Sequence, residues 1–368
     1  MSGCTVIVSL NHLAPRLVPP CILRTWLLVL LGLTLRAGGA DGAHSARPVL
    51  REYDVLRAFP VGRLAALYAG DKPDAYGFTG SNRGAATWNG AGAQRGSCRG
   101  VIAGVVTDDL ALADDAWRGI DMAFAHQRAD GGFDSIPLYA SAGAAVETAY
   151  FFLQELGRAI LVIRQSPHEA HFRARLAVLE PKLRRACDFI LAGYATIIPK
   201  VGHTVNRVII AAKAFGTCGV VLHDAKLLAA SRQLIAHALT LRDPEGVFVE
   251  NGGRDSSYNV VSILFGQVLA LHVPLPEFEA ALPAAVAWQL TRILPNGEVN
   301  VSGNTRTGVG KEPSPFDGKP KGVNYTEVIF ALTLYGVVHH DAAALAAADR
   351  VFGFARVGAP SARPVKKP

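Results

Sequence analysis

The chain has 368 residues, half of them hydrophobic and only 18% charged, with a formal net charge of +7. This composition supports a large buried core and excludes a chain that is disordered throughout. Three of the positive charges, Arg16, Arg24 and Arg36, lie in the first forty residues, where there is no acid. The remainder is mildly basic, which suits an acidic ligand without calling for nucleic acid, and no arginine-rich helix or zinc-finger spacing is present.

The first forty residues read as a secretory signal peptide. An apolar run from Trp26 to Leu35 is followed by small residues ending at Gly38 and Ala40. The run is short for a membrane span. The expectation is a mature chain beginning near Asp41, secreted or periplasmic, with no stable membrane association after cleavage. An uncleaved anchor is the alternative.

Residues 41–105 form an N-terminal segment of mixed character. "EYDVLRAFPVGRLAALYA" reads as one outer helix. "GDKPDAYGFTGSNRGAATWNGAGAQRGSCRG" carries so much glycine that it reads as a long loop, carrying Tyr76 and Trp88 over a cleft. Three cysteines lie beyond the leader: Cys98, Cys187 and Cys218. One pair can form a disulfide in an oxidising compartment, and the odd thiol is left over. There is no CxxC, so neither a metal site nor a cofactor is indicated.

From 106 to 357 two kinds of helix alternate. The amphipathic set begins with "DDLALADDAWRGIDMAFAHQ" and continues with "HEAHFRARLAVLEPKLRRACDFILAGY", "HDAKLLAASRQLIAHALTLR", "EFEAALPAAVAWQLTRIL" and "DAAALAAADRVFGFA". Nearly all-apolar helices are expected over 144–163, 204–222, 257–271 and 324–338. Turn-rich loops such as "QRADGGFDS", "LRDPEGVFVENGGRD" and "ILPNGEVNVSGNTRTG" lead into the apolar helices, and short links such as "LHD" and "HHD" lead out. The unit is a helical hairpin of about fifty residues. The expected fold is all-α: an α/α toroid, an incomplete barrel with apolar helices inside and amphipathic ones outside. An open helical solenoid is the alternative. Residues 358–368 read as a disordered tail.

The long loops then share one end with the inner-helix N-termini, whose free N–H groups favour an anionic ligand. The candidate catalytic residues there are His203, Asn206, Arg254 and Tyr258. Glu147, Arg207, Asn324, Tyr325, Trp88, Arg306 and Lys321 are candidate substrate contacts, the last two from a long loop over 302–322 that reads as a lid. Asp255 and the adjacent serines read as helix caps.

Asn, His, Arg and Tyr at inner-helix starts resemble the polysaccharide lyases of the α/α-toroid fold, among them alginate, glucuronan, hyaluronate and chondroitin lyases. The resemblance covers about 105–357 and rests on architecture and residue type. It implies β-elimination of a uronic-acid polysaccharide. Asn206 would neutralise the carboxylate, His203 would act as base, Tyr258 as acid or as acid and base, and Arg254 would lower the tyrosine pKa. One departure is the spacing His203-x-x-Asn206, wider than the Asn-His pairing of alginate lyases. The chemistry asks for these types on its own account: an enolate-like state needs a donor at the carboxylate, and a tyrosine with pKa near ~10 needs a cation before it can act as base. Two other readings stand beside the lyase. One is a toroid glycoside hydrolase, including those acting on unsaturated uronides, with paired carboxylates from Glu147, Asp255 or Glu327. The other is a non-catalytic glycan-binding toroid.

Overall fold

The computed structural model describes residues 50–84, 88–134, 143–313 and 318–358. The signal-peptide reading of 1–40 and nearly all of the tail reading lie outside them. The described residues fall within one unit, Pro48–Pro368. In chain order the elements are α1 (Glu52–Arg57), α2 (Arg63–Tyr68), α3 (Arg95–Val106), α4 (Leu110–Ala125), α5 (Ala144–Gln165), α6 (Glu169–Ala192), α7 (Ile197–Val201), α8 (Val205–Leu222) and α9 (Ala225–Thr240). A two-strand hairpin of β1 (Val249–Glu250) and β2 (Gly253–Arg254) follows. The last four helices are α10 (Ser256–Ala270), α11 (Pro276–Thr291), α12 (Tyr325–His339) and α13 (Ala342–Gly358). The protein is all-α apart from this hairpin and isolated bridges in its loops.

The four apolar helices stand where their composition puts them, as α5, α8, α10 and α12. Each packs on the next, α5 on α8, α8 on α10 and α10 on α12. Each also packs on the amphipathic helix that follows it: α6, α9, α11 and α13. Helix α8 is long and apolar enough to cross a membrane, but 89% of it is buried in protein, so its hydrophobicity is accounted for by the core.

The hairpin units share their corners. The α8–α9 and α12–α13 links each turn on a left-handed histidine, His223 and His340, before an aspartate, Asp224 or Asp341, caps the next helix. The α3–α4 link does the same with Asp108 and the cap Asp109. At the other end, Gln127, Arg242 and Ile293 bridge to Phe133, Phe248 and Val299 around a turn with glycine in one left-handed position: Gly131, Gly246 and Gly297. In each turn a Cβ at that glycine would strike a later amphipathic helix: Arg185 on α6, Ala284 on α11 or Arg350 on α13. The glycine therefore serves both the turn and the packing.

Two expectations are corrected. Residues 95–100, read as the end of the glycine-rich loop, belong to α3, which runs on to Val106, so the boundary drawn at 105/106 falls at the end of a helix. Gly100 and Gly104 let α3 approach α4 closely: a Cβ at Gly100 would lie 2.8 Å from that of Ala116, and one at Gly104 2.6 Å from the Ala113 nitrogen. Close helix packing here outweighs the poor propensity of glycine. The single outer helix expected after residue 51 is broken between Arg57 and Arg63, where Pro60 falls. Its first residue, Glu52, is fully buried rather than facing water.

Glu52 belongs to an ionic network inside the helix packing. Its carboxylate meets Arg158 at 2.6 Å and His272 at 2.7 Å. Arg158 also reaches Glu155 and the Tyr68 hydroxyl, and Lys213 meets Glu155 at 2.9 Å and Gln154 at 2.6 Å. Burial alone would raise the Glu155 carboxyl, but Lys213, Arg158 and Arg99 hold it at about 2. Burial brings Lys213 down to about 8. Such a network costs desolvation and stays charged only because its members pair. Cys98, Cys187 and Cys218 are buried free thiols. Cys187 and Cys218 are neighbours, and that contact together with burial pushes the Cys187 thiol well above its ordinary value.

Candidate functional site at the entry to the apolar helices

The entry to α10 is organised by Asp255. This fully buried carboxylate caps the helix by accepting from the Ser257 and Tyr258 amides. It also accepts from the Arg306 and Thr307 amides and from the Thr307 hydroxyl. One side chain thus fixes both the start of α10 and the loop after residue 302, so its oxygens are committed to structure. Asn304 adds to the join by accepting from the Ser256 amide at 3.0 Å.

That loop sets Arg306 against Tyr258. The guanidinium carbon lies 4.1 Å from the ring centre, and the Lys321 ammonium lies 5.9 Å from it. Arg306 forks between two carboxylates, Glu250 on β1 and Glu312 in the loop, and Lys321 meets Glu312 at 2.5 Å. Burial pushes the Tyr258 hydroxyl up to about 12, and the nearby Arg306 does not reverse that. The shift thus runs opposite to the one expected of a tyrosine made basic by a cation, because burial outweighs Arg306. The Arg306 hydrogen bond, with that of Lys321, holds Glu312 at about 2.

Glu250 is the residue that sequence reasoning missed. Its side chain is fully buried, with one oxygen on Arg306 and the other 3.5 Å from the Asn206 amide. Burial pushes its carboxyl up to about 7 against the pull of Arg306. The available signal was an acid closing the apolar run "GVFVE". Glu312, also missed, had no signal beyond lying among the loop's basic residues.

The first turn of α8 joins this cluster to α5. Asn206 is only 6% exposed, and its side-chain carbonyl has no hydrogen-bond partner. Arg207 turns the other way, 3.2 Å from Glu147, which also meets Lys200 at 3.4 Å. Of the partners weighed for Glu147, Arg207 is thus the one it takes. His203 is exposed in the turn before the helix, and its carbonyl accepts from the Asn251 amide at the β-hairpin. The Ser257 hydroxyl accepts from the Asn324 amide, tying the start of α12 to that of α10. The first turns of α5, α8, α10 and α12 are thereby linked in series.

Other candidates are turned elsewhere. Arg254 lies on β2, pairs with Asp243 and Glu245, and sits 5.7 Å from the Trp288 ring centre. Those groups, and not Tyr258, engage its charge, so the role of lowering the tyrosine pKa does not fall to it. The Tyr325 hydroxyl lies 3.5 Å from the Val299 amide and its ring packs on Phe354 of α13. Asn324 caps α12 by accepting from the Glu327 amide. Trp88 stacks on His126 at 4.0 Å and donates to the Asp134 carbonyl, while Tyr76 is 74% exposed. Burial raises the Glu327 carboxyl, with Arg99 and Arg95 opposing. Among the described residues no group of three or more His, Cys, Asp or Glu is placed to hold a metal ion.

No family model matches this chain, and no curated protein or solved structure matches it significantly. Fold and site therefore define a class by their own chemistry: an all-α protein of paired helices, with a tyrosine, two cations and a buried carboxyl gathered at the entry to an apolar helix.

Proposed function

We propose that this chain is an exported lyase that cleaves a uronic-acid polysaccharide by β-elimination, on a fold whose helical hairpins close as an α/α toroid. The succession of inner contacts from α5 to α12, with amphipathic partners alongside, supports the toroid. The observation that carries the function is the placement of Tyr258, at the entry to α10, under the cations of Arg306 and Lys321. A base removes the proton alpha to the uronate carboxylate, the bond to the leaving oxygen breaks, and a carbon–carbon double bond forms. Tyr258 donates its proton to the leaving oxygen, and Arg306, Lys321 and Asn206 stabilise the carboxylate as it gains enolate character. His203, exposed at the head of α8, takes the role of base. Incubation with a panel of uronate polymers tests this: an ultraviolet-absorbing unsaturated end is expected, and its absence with every polymer overturns the reading.

One observation favours hydrolysis instead. A carboxyl at about 7, as Glu250 has, suits a general acid. New reducing ends without the chromophore would select that reading. Against it, Glu250 is fully buried and both its oxygens are engaged.

A further inference from the structure

The Glu312 carboxylate is held as a ligand would be. Arg306 offers it the Nε and Nη2 edge of its guanidinium, a two-pronged grip in which Nη2 lies 3.3 Å from one oxygen. The Lys321 ammonium meets that same oxygen at 2.5 Å. Beneath the pair lies the face of Tyr258. The third prong of Arg306, Nη1, is anchored to buried Glu250, so the guanidinium keeps its orientation whatever occupies the open edge. The exposures divide the same way. The Arg306 side chain is 5% exposed and Lys321 16%, whereas Glu312 is 38% exposed. The receiving groups are built into the protein, and the carboxylate they hold arrives from solvent.

The loop that supplies Glu312 is pinned at its base. Asp255 fixes Arg306 and Thr307, the Gly308 amide donates to the Lys321 carbonyl, and the Lys321 amide donates to the Glu312 carbonyl. Beyond that base, Pro313 pairs with Pro320 in an isolated bridge. A rotation of the Glu312 side chain frees the Arg306 edge without disturbing Asp255 or Glu250.

We infer that Arg306 and Lys321 form a carboxylate-binding site over Tyr258, that Glu312 fills it in the unliganded protein, and that a uronate carboxylate displaces Glu312 to bind. This rests on the proposed function for the identity of the ligand. Its physical content is an exchange of one carboxylate for another on the same donors. The internal carboxylate lowers the apparent affinity for the external one and keeps Lys321 and the open edge of Arg306 engaged when no substrate is present.

The test is binding rather than turnover. A glucuronate oligosaccharide and its methyl-esterified, uncharged counterpart are titrated into wild type, Glu312→Gln, Glu312→Ala and Lys321→Met by calorimetry. Both Glu312 variants should bind the acid roughly tenfold more tightly than wild type, since the external carboxylate no longer has to displace an internal one from its charge-assisted hydrogen bonds. The ester should gain nothing, and Lys321→Met should weaken binding of the acid. Unchanged or weaker binding of the acid by the Glu312 variants overturns the inference. An equal gain for the ester does so too, since it would show mere unblocking of space. Tight, Glu312-controlled binding with no unsaturated product from any polymer sinks the lyase and leaves the site. Unsaturated product with no Glu312 effect on binding does the reverse.

Discussion

The Arg306 guanidinium lies face-on to the Tyr258 ring, 4.1 Å from its centre. A loop placed well after α10 thus brings charge to a side chain at the start of that helix. Tyr258→Phe keeps the ring and the cation contact and removes only the transferable proton. Turnover should fall by roughly 10²–10⁴-fold, the usual contribution of a general acid. Oligosaccharide affinity and the melting temperature should stay near wild type. A variant that keeps its full rate excludes the assigned role.

Glu250 makes stability depend on pH. Its folded carboxyl is raised from 4.5 to about 7, so the folded chain holds the proton more tightly than the unfolded one. The stability linked to that proton is fully present below about pH 4.5 and is lost as pH rises through about 7. Glu250→Gln cannot titrate. Urea denaturation across this window should show a flatter pH dependence for the variant, with a difference on the order of 3 kcal/mol between the ends. Parallel curves for the two proteins would count against the buried carboxyl as the cause.

Lys213 sits fully buried between Glu155 and Gln154. Lys213→Ala strips Glu155 of one of its cations and should cost about 3–5 kcal/mol. Combining Lys213→Met with Glu155→Gln removes both charges and should recover part of that loss. Denaturation midpoints of Lys213→Met, Glu155→Gln and the double variant decide it; a double variant that costs as much as the two singles together, or more, would show that the pair does not stabilise the fold.

Two glycines separate packing from propensity. A Cβ at Gly266 on α10 would fall 1.8 Å from the Phe278 ring on α11, whereas nothing lies within 4 Å of one at Gly353 on α13. Gly266→Ala should destabilise by about 1–3 kcal/mol through overpacking. Gly353→Ala should stabilise by about 0.5–1 kcal/mol through helix propensity. Thermal melts that shift in the same direction would contradict this account.

The apolar helices were legible because surrounding protein leaves its mark on every face of a helix, as in α8 and α12. Helix α3 was not legible, since its glycines answer to the neighbour they admit, Ala113 and Ala116 on α4, and that neighbour is invisible to local propensity. Tyr258 and Asn206 were expected at helix starts and stand in the first turns of α10 and α8. Arg254 was paired with Tyr258 by helical spacing, but it stands on a strand, where that spacing does not apply. The cation that does reach the tyrosine, Arg306, comes from a loop with no periodicity to follow. Glu250 and Glu312 draw their significance from that same arginine, so they became recognisable only once it was placed.

The first two helices lean on the last two. Arg63 of α2 reaches Thr333 of α12, 270 residues away in sequence, and pairs with Asp349 of α13, while Phe59 and Tyr68 pack against Phe330. During synthesis these aromatic surfaces emerge long before the helix that covers them. Contacts of such high sequence separation slow folding and leave apolar surface open to chaperones or to other nascent chains in the interval. The seam that Arg63 and Phe59 make can close only after α12 and α13 have been made.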